Sequence, residues 1–285
     1  MSQRDKLLTI ILVSYHSDNV IEKILQQIPK KYTILITDNA LSKKLKKNIE
    51  DRFINTQVLM PKKNLGNGGG VNFALTKVKT KYALYLDLDI QIEKGCIDKL
   101  IRIGNKKVGW GIIAPNLRKY IYKKKYYLNS NFCRETSNMN FVEGCALMFN
   151  IIEMKKIGFY DEKIFLYFEE NDLFFNCIKN KKKILLCNNI YIHHLGNAST
   201  DSKHKIEIEL NRNWHYMWSK FYYYMKNYSY LRGVKETILQ FIRSNIKLCF
   251  YYFTNYKKFL IYKNRASGLY NSYLKKNSWR RPNIK

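Results

Sequence analysis

The 285-residue sequence predicts an α/β fold on a mixed, mainly parallel sheet, with a C-terminal α-helical extension. Three observations carry that reading. Short apolar runs alternate with amphipathic stretches from Leu7 to Pro115. Polar and acidic residues follow directly on those runs, where an α/β sheet collects its ligands. From about Lys205 onward the apolar residues recur at three- and four-residue steps instead.

The elements follow in order. Leu7 to Val13 (LLTIILV) is an unbroken apolar run, as in a strand buried on both faces. Arg4 and Lys6 precede it as in a signal peptide, but no small-residue cleavage site follows, so it reads as the first strand. Amphipathic Asn19 to Ile28, strand Tyr32 to Thr37, amphipathic Leu41 to Phe53 and strand Thr56 to Met60 come next. A glycine-rich loop then leads into a helical pattern beginning near Val71 and ending at Val78. Strand Tyr82 to Leu86, helix Ile97 to Ile103 and strand Val108 to Pro115 complete the alternation, which implies a mostly parallel sheet. Leu117 to Asn197 mixes short strands with two helical pieces. Two helical stripes follow: Ile206, Leu210, Trp214, Met217, Trp218, Phe221 and Met225, then Ile238, Ile242, Ile246, Cys249 and Phe253. The expected division is residues 1–204 and 205–285, with no internal repeat and no linker to sharpen it.

A net charge of +29 and 15% aromatic residues point to an anionic partner, although lysine far exceeds arginine, as A- and T-rich codon use also produces. The six cysteines, Cys96, Cys133, Cys145, Cys177, Cys187 and Cys249, show no CxxC spacing. That excludes a zinc ribbon or a disulfide framework and fits a reducing cytosol. No uncharged apolar run reaches the ~18 residues of a membrane-spanning helix, so the chain is expected to be soluble or to lie on a membrane.

Four segments carry chemistry. In YLDLDI, Asp87 and Asp89 stand two apart at a strand end, where alternate side chains share a side, as a hard cation such as Mg²⁺ or Mn²⁺ requires. Acidic pairs at strand ends are also often simply solvated. The run Gly66, Gly68, Gly69, Gly70 before a helix start allows close backbone approach to a ligand, or simply a flexible turn. It has neither the P-loop ending nor the dinucleotide spacing. Aromatic Phe165 to Phe168 delivers Glu169, Glu170 and Asp172 to a helix start, where carboxylates stay ionised and can act as a base or cap the helix. His193 and His194 close a further apolar run, as metal ligands or as structural residues.

In this order the segments resemble glycosyltransferase family 2, specifically its rhamnosyltransferase-like members. They are VSYHS (Val13–Ser17), ITDNA (Ile36–Ala40), NLGNGGGVNFAL (Asn64–Leu75), DLD, FVEGCALMF (Phe141–Phe149), YFEENDLFF (Tyr167–Phe175) and IHHLGNAS (Ile192–Ser199). The likeness covers roughly residues 7 to 200 and implies a GT-A type, Rossmann-like nucleotide-sugar-binding domain. It implies that Ser14, Tyr15, Asp38, Asn39, Asn64, Gly68, Asn72 and Asp87 bind the nucleotide-sugar. It further implies that Asp89 and His193 hold Mn²⁺ or Mg²⁺, and that Glu169 or Glu170 is the base, with Asp172 orienting that helix or an acceptor hydroxyl. The family pattern has Asp where this chain has Glu170, which leaves the choice between the two glutamates open.

The function this implies is an inverting sugar transfer, with rhamnose the candidate sugar, from a dTDP- or UDP-sugar to a saccharide or polyprenyl-linked acceptor in cell-surface polysaccharide synthesis. The location implied is cytoplasmic, with an anionic membrane surface at the inner face of the plasma membrane as a partner of the aromatic, basic tail. Core packing accounts for the tail's apolar residues equally well. A nucleotidyltransferase would leave YFEENDL and IHHLG without a role. A nucleic-acid-binding protein would rest only on charge and aromatic content, since no recognised binding module is present.

Overall fold

The computed structural model describes residues 7–118, 120, 122–129, 134–195 and 205–283, and in them the apolar runs are strands. Arg4, Lys6, Cys133 and the Gly196–Ser199 part of IHHLGNAS lie outside the described residues. The elements are β1 (Leu8–Ser14), α1 (Asp18–Gln27), β2 (Thr33–Asp38), α2 (Lys43–Arg52), β3 (Thr56–Leu59), α3 (Gly66–Leu75), β4 (Tyr82–Leu86), β5 (Ile90–Ile92), α4 (Cys96–Lys106), β6 (Trp110–Leu117), β7 (Tyr127–Asn129), β8 (Thr136–Met139), β9 (Ala146–Asn150), α5 (Ile151–Lys155), α6 (Glu169–Lys179), β10 (Lys183–His194), α7 (Lys205–Asn227), α8 (Tyr230–Thr254) and α9 (Tyr256–Tyr273).

The chain forms two compact units. The first comprises Met1–Asn64, Gly70–Phe159 and Leu173–Thr200; the second comprises Leu65–Gly69, Tyr160–Asp172 and Asp201–Lys285.

In the first unit the strands form one mixed sheet in the order β3-β2-β1-β4-β9-β6-β10-β8-β7, with β5 paired to β10. Strands β3, β2, β1 and β4 run parallel. β9 enters antiparallel between β4 and β6, and β10 returns parallel to β6. The central strands are buried on both faces, which is why they read as unbroken apolar runs. Ile21 and Ile24 of α1, Leu45 and Ile49 of α2, and Ile97, Leu100 and Ile103 of α4 join Ile10, Leu12, Ile34, Ile36 and Leu84 in one core.

The glycine run is helix where a loop was expected: α3 starts at Gly66, not near Val71. Gly66 enters at φ +76°, a left-handed conformation that glycine alone adopts cheaply. A side chain at Gly70 would put its Cβ 2.9 Å from Val13 Cγ1, and the Gly70 carbonyl accepts a 2.8 Å hydrogen bond from Thr37 Oγ1. Glycine therefore lets α3 lie directly on the ends of β1 and β2.

The second unit centres on α7, α8 and α9. Ser229 and Asn255 cap α8 and α9, accepting from the backbone N–H of Arg232 and Lys258, so the tail folds back on itself twice. Met217, Phe221 and Leu269 form its core, with Val234, Phe241 and Tyr273 packed around them. A Cβ at Gly268 would lie 2.3 Å from the Trp214 carbonyl oxygen, so α7 and α9 approach at backbone distance. The segment after α9 is tied to α7 by Trp218 Nε1 to the Lys276 carbonyl at 3.0 Å and His215 Nε2 to the Arg280 carbonyl at 2.8 Å. No helix among the described residues is long and apolar enough to cross a membrane.

Candidate functional site

Within the first unit an acidic cluster forms where β4 ends. The Asp87 N–H donates to the Cys145 carbonyl at 2.8 Å, anchoring the turn that leads into β5. β5 pairs antiparallel with the end of β10, setting Ile90 opposite His194 and Gln91 opposite His193, and Leu195 N–H donates to the Asp89 carbonyl at 2.9 Å. This pairing carries His194 Nε2 to 3.1 Å from Asp89 Oδ1. Ligand atoms of Asp87, Asp89 and His194 lie within 4.8 Å of one another. Tyr85 OH donates to Asp87 Oδ1.

The expected ligand His193 is not in this cluster. Its Nε2 lies 3.6 Å from Glu93, which Arg118 also holds at 2.6 Å. Consecutive residues on a strand face opposite ways, so only one of two adjacent histidines can reach the aspartates, and the pairing with β5 selects His194.

The electrostatics fit a divalent cation. Burial, with Asp89 beside it, pushes the Asp87 carboxyl up to about 6, and the Asp89 hydrogen bond holds the His194 imidazole above its ordinary value. Burial is the larger cause of the first shift and the Asp89 hydrogen bond of the second, and the Asp89 carboxylate acts in the same direction on both groups. The two carboxylates are oxygen donors of the kind that Mn²⁺ and Mg²⁺ take, and the imidazole beside them is a donor that suits a transition ion better than Mg²⁺.

Next to this cluster along the sheet, Ser14 and Asp38 end β1 and β2. Fully buried Asp38 accepts from Ser14 Oγ at 2.8 Å, Ala40 N–H at 3.2 Å and Ser42 N–H at 2.7 Å. Its carboxylate orders the turn into α2. Asn39 is buried, with its N–H on the Ser14 carbonyl at 2.9 Å, while Tyr15, Asn64 and Asn72 are half-buried.

The second unit holds the other expected carboxylates. Tyr167 and Phe168 both have φ +64°, two consecutive left-handed residues with side chains, immediately before α6 begins at Glu169. Such strain costs of order 1–3 kcal/mol per residue and gathers at functional sites. The two glutamates that follow differ in burial. Glu169 is buried, with Asn67 Nδ2 3.4 Å from its Oε1, whereas Glu170 is half-buried. Buried Asp172 accepts from Lys226 Nζ at 2.7 Å and Asn227 Nδ2 at 2.8 Å, and Lys226 also holds Asp161 at 2.7 Å. Gly68 leaves room for Tyr160, whose Cβ would be 2.9 Å from an added side chain.

The family model for glycosyl transferase family 2 matches residues 9–153, just over half of the chain. The chain belongs to glycosyl transferase family 2. Comparison with curated proteins finds no match. Among solved structures, GalNAc-T7 with UDP, GalNAc and Mn²⁺ is similar with a TM-score of 0.55 at 13% identity, over 66% of this chain and 43% of that one. This chain thus spans less than half of that protein's chain. S. aureus TarS 1-349 is similar with a TM-score of 0.54 at 14% identity, over 96% of this chain and 93% of that one. The mannosyltransferase PcManGT from Pyrobaculum calidifontis, in complex with GDP-Man and Mn²⁺, is similar with a TM-score of 0.58 at 10% identity, over 95% and 88%. At these identities the likeness is one of fold, and the fold is GT-A with a helical extension.

In this family-2 glycosyltransferase the structure brings Asp87, Asp89 and His194 together in the first unit, with Tyr85 donating to Asp87; in the second unit Asn67 meets Glu169, and Lys226 and Asn227 hold Asp172, partners that the sequence reading did not assign. His194 was legible as one of a pair. Lys226 and Asn227 carried no signal, because surface-type residues at a helix end become partners of a buried carboxylate only through the fold.

Proposed function

We propose that the chain transfers a sugar from a nucleoside-diphosphate sugar to an acceptor hydroxyl with inversion, and that a divalent cation assists. The observation that carries this is the Asp87, Asp89 and His194 cluster on a family-2 sheet. Asp89 and His194 would hold the cation, with Asp87 toward the donor. When bound, the cation would neutralise charge developing on the departing diphosphate. Ser14, Tyr15 and Asn39 would meet the nucleotide, with Asp38 acting through the turn it orders and Asn64, Gly68 and Asn72 shaping the donor pocket. Glu170, the more accessible of the two glutamates, would take the acceptor's proton, while Glu169 and Asp172 set the start of α6. We propose a UDP- or dTDP-sugar as donor, rhamnose being the sugar the motifs suggest, and a saccharide or polyprenyl-linked acceptor of cell-surface polysaccharide, reached from the cytoplasmic side. Neighbours solved with UDP-GlcNAc and with GDP-Man and Mn²⁺ support a nucleotide-sugar donor.

The test combines binding with turnover. UDP-, dTDP- and GDP-sugars with Mn²⁺ are screened by thermal shift, and the donor found is used to assay Glu170→Gln and Glu169→Gln. Loss of general-base assistance lowers turnover by about 10²–10⁴-fold, so Glu170→Gln should fall in that range with donor affinity unchanged. No shift with any nucleotide-sugar would refute the donor class; normal turnover in both variants would refute the base.

A further inference from the structure

Helix α8 has two unlike sides. Gly233, Thr237 and Ser244 are buried, and Phe241 packs on the core of the helical unit. Opposite them, Leu231, Leu239, Ile242, Ile246, Phe250 and Phe253 are 79%, 76%, 48%, 64%, 62% and 86% exposed. Apart from the gap that Lys235 fills, these residues recur at three- and four-residue steps and line one face of the helix. At 1.5 Å per residue the stripe runs about 30 Å along the axis. Apolar surface of that extent marks an interaction site.

Charge identifies the occupant. Lys235 lies on the stripe, Arg232 and Arg243 flank it, and the sole acid of α8, Glu236, is paired to Arg232 at 2.7 Å. α9 adds exposed Lys258 and Lys263 and has no acid, while its exposed Lys257 lies 3.3 Å from Glu209 of α7. Tyr252 and Tyr256 are exposed where α8 meets α9, the amphipathic side chains that settle at a lipid–water boundary. A second copy would set basic rows against each other in a two-fold contact. We infer that the outer face of α8 docks flat on an anionic lipid bilayer, its apolar stripe among the acyl chains and its lysines and arginines among acidic headgroups. This stands on the geometry of α8 and does not depend on the sugar-transfer reading.

The full chain is sedimented with vesicles of phosphatidylcholine alone and of phosphatidylcholine with phosphatidylglycerol, at low and high salt. Pelleting is expected only with the anionic vesicles and should weaken with salt. Phe250→Glu/Phe253→Glu should abolish it, and Lys235→Gln/Arg243→Gln should weaken partition about fivefold per charge removed. All four positions are exposed, and unchanged melting and circular dichroism verify that the variants fold. A wild-type chain left in the supernatant, or equal pelleting of folded variants, overturns the inference. So does a dimer in sedimentation velocity that Phe250→Glu/Phe253→Glu dissociates, because the face would then join two copies.

Discussion

The smallest decision in the candidate site is which of two adjacent histidines faces the aspartates. DLD and HH were both plain in the sequence, but the alternation that separates His193 from His194 depends on pairing with β5, a strand of three residues. So short a strand, following directly on Asp89, has no periodicity to announce it. The assignment predicts a clear asymmetry. His194→Ala should weaken Mn²⁺ binding, measured calorimetrically with UDP present, by at least about tenfold, the loss expected even for a group beyond the direct ligands. His193→Ala should leave it within about twofold, since that side chain lies with Glu93. Equal loss in both variants would remove the assignment.

Elements reveal a second limit to reading by pattern. The α7 and α8 stripes look alike in sequence, yet Leu210, Trp214, Met217, Trp218 and Phe221 are buried while Ile242, Ile246 and Phe253 are exposed. Periodicity shows that a helix has an apolar face, not what covers that face. Glycine misled in the opposite direction, because a run that suggests a flexible loop instead permits α3 to sit close to β1. Close approach can be tested where α7 meets α9. Gly268→Ala would set a methyl group 2.3 Å from the backbone oxygen of Trp214, whereas Gly233→Ala first meets the Phe221 ring at 2.8 Å. Overpacking costs about 1–3 kcal/mol, more than the roughly 1 kcal/mol that alanine returns through helix propensity. Thermal denaturation should rank Gly268→Ala below Gly233→Ala, since a ring can shift and a helix backbone cannot; the reverse order would contradict the packing described.

The molecule as a whole carries a charge of +29, and acidification adds to it. One buried group sharpens that response. His215 donates Nε2–H to the Arg280 carbonyl, and burial, with Arg281 and Arg280 nearby, pushes its pKa from 6.5 down to about 3. Between those values the unfolded chain binds a proton that the folded chain does not. Stability is therefore full above about pH 6.5 and falls as pH drops toward 3, by at most about 1.4 kcal/mol per unit. Melting curves from pH 7 to 5 should show a shallower decline for His215→Gln than for wild type; parallel declines would assign the acid sensitivity to other groups.

The α/β alternation and the helical extension were legible because local pattern sets them. The allotment of Leu65–Gly69 and Tyr160–Asp172 to the helical unit was not, because it depends on contacts far apart along the chain. No single cut in the chain releases either unit intact. A recombination event that joins this catalytic sheet to a foreign tail at one crossover point would strand those two segments without their partners. Exchanging the helical unit intact would therefore mean exchanging the sheet segments that interrupt it as well.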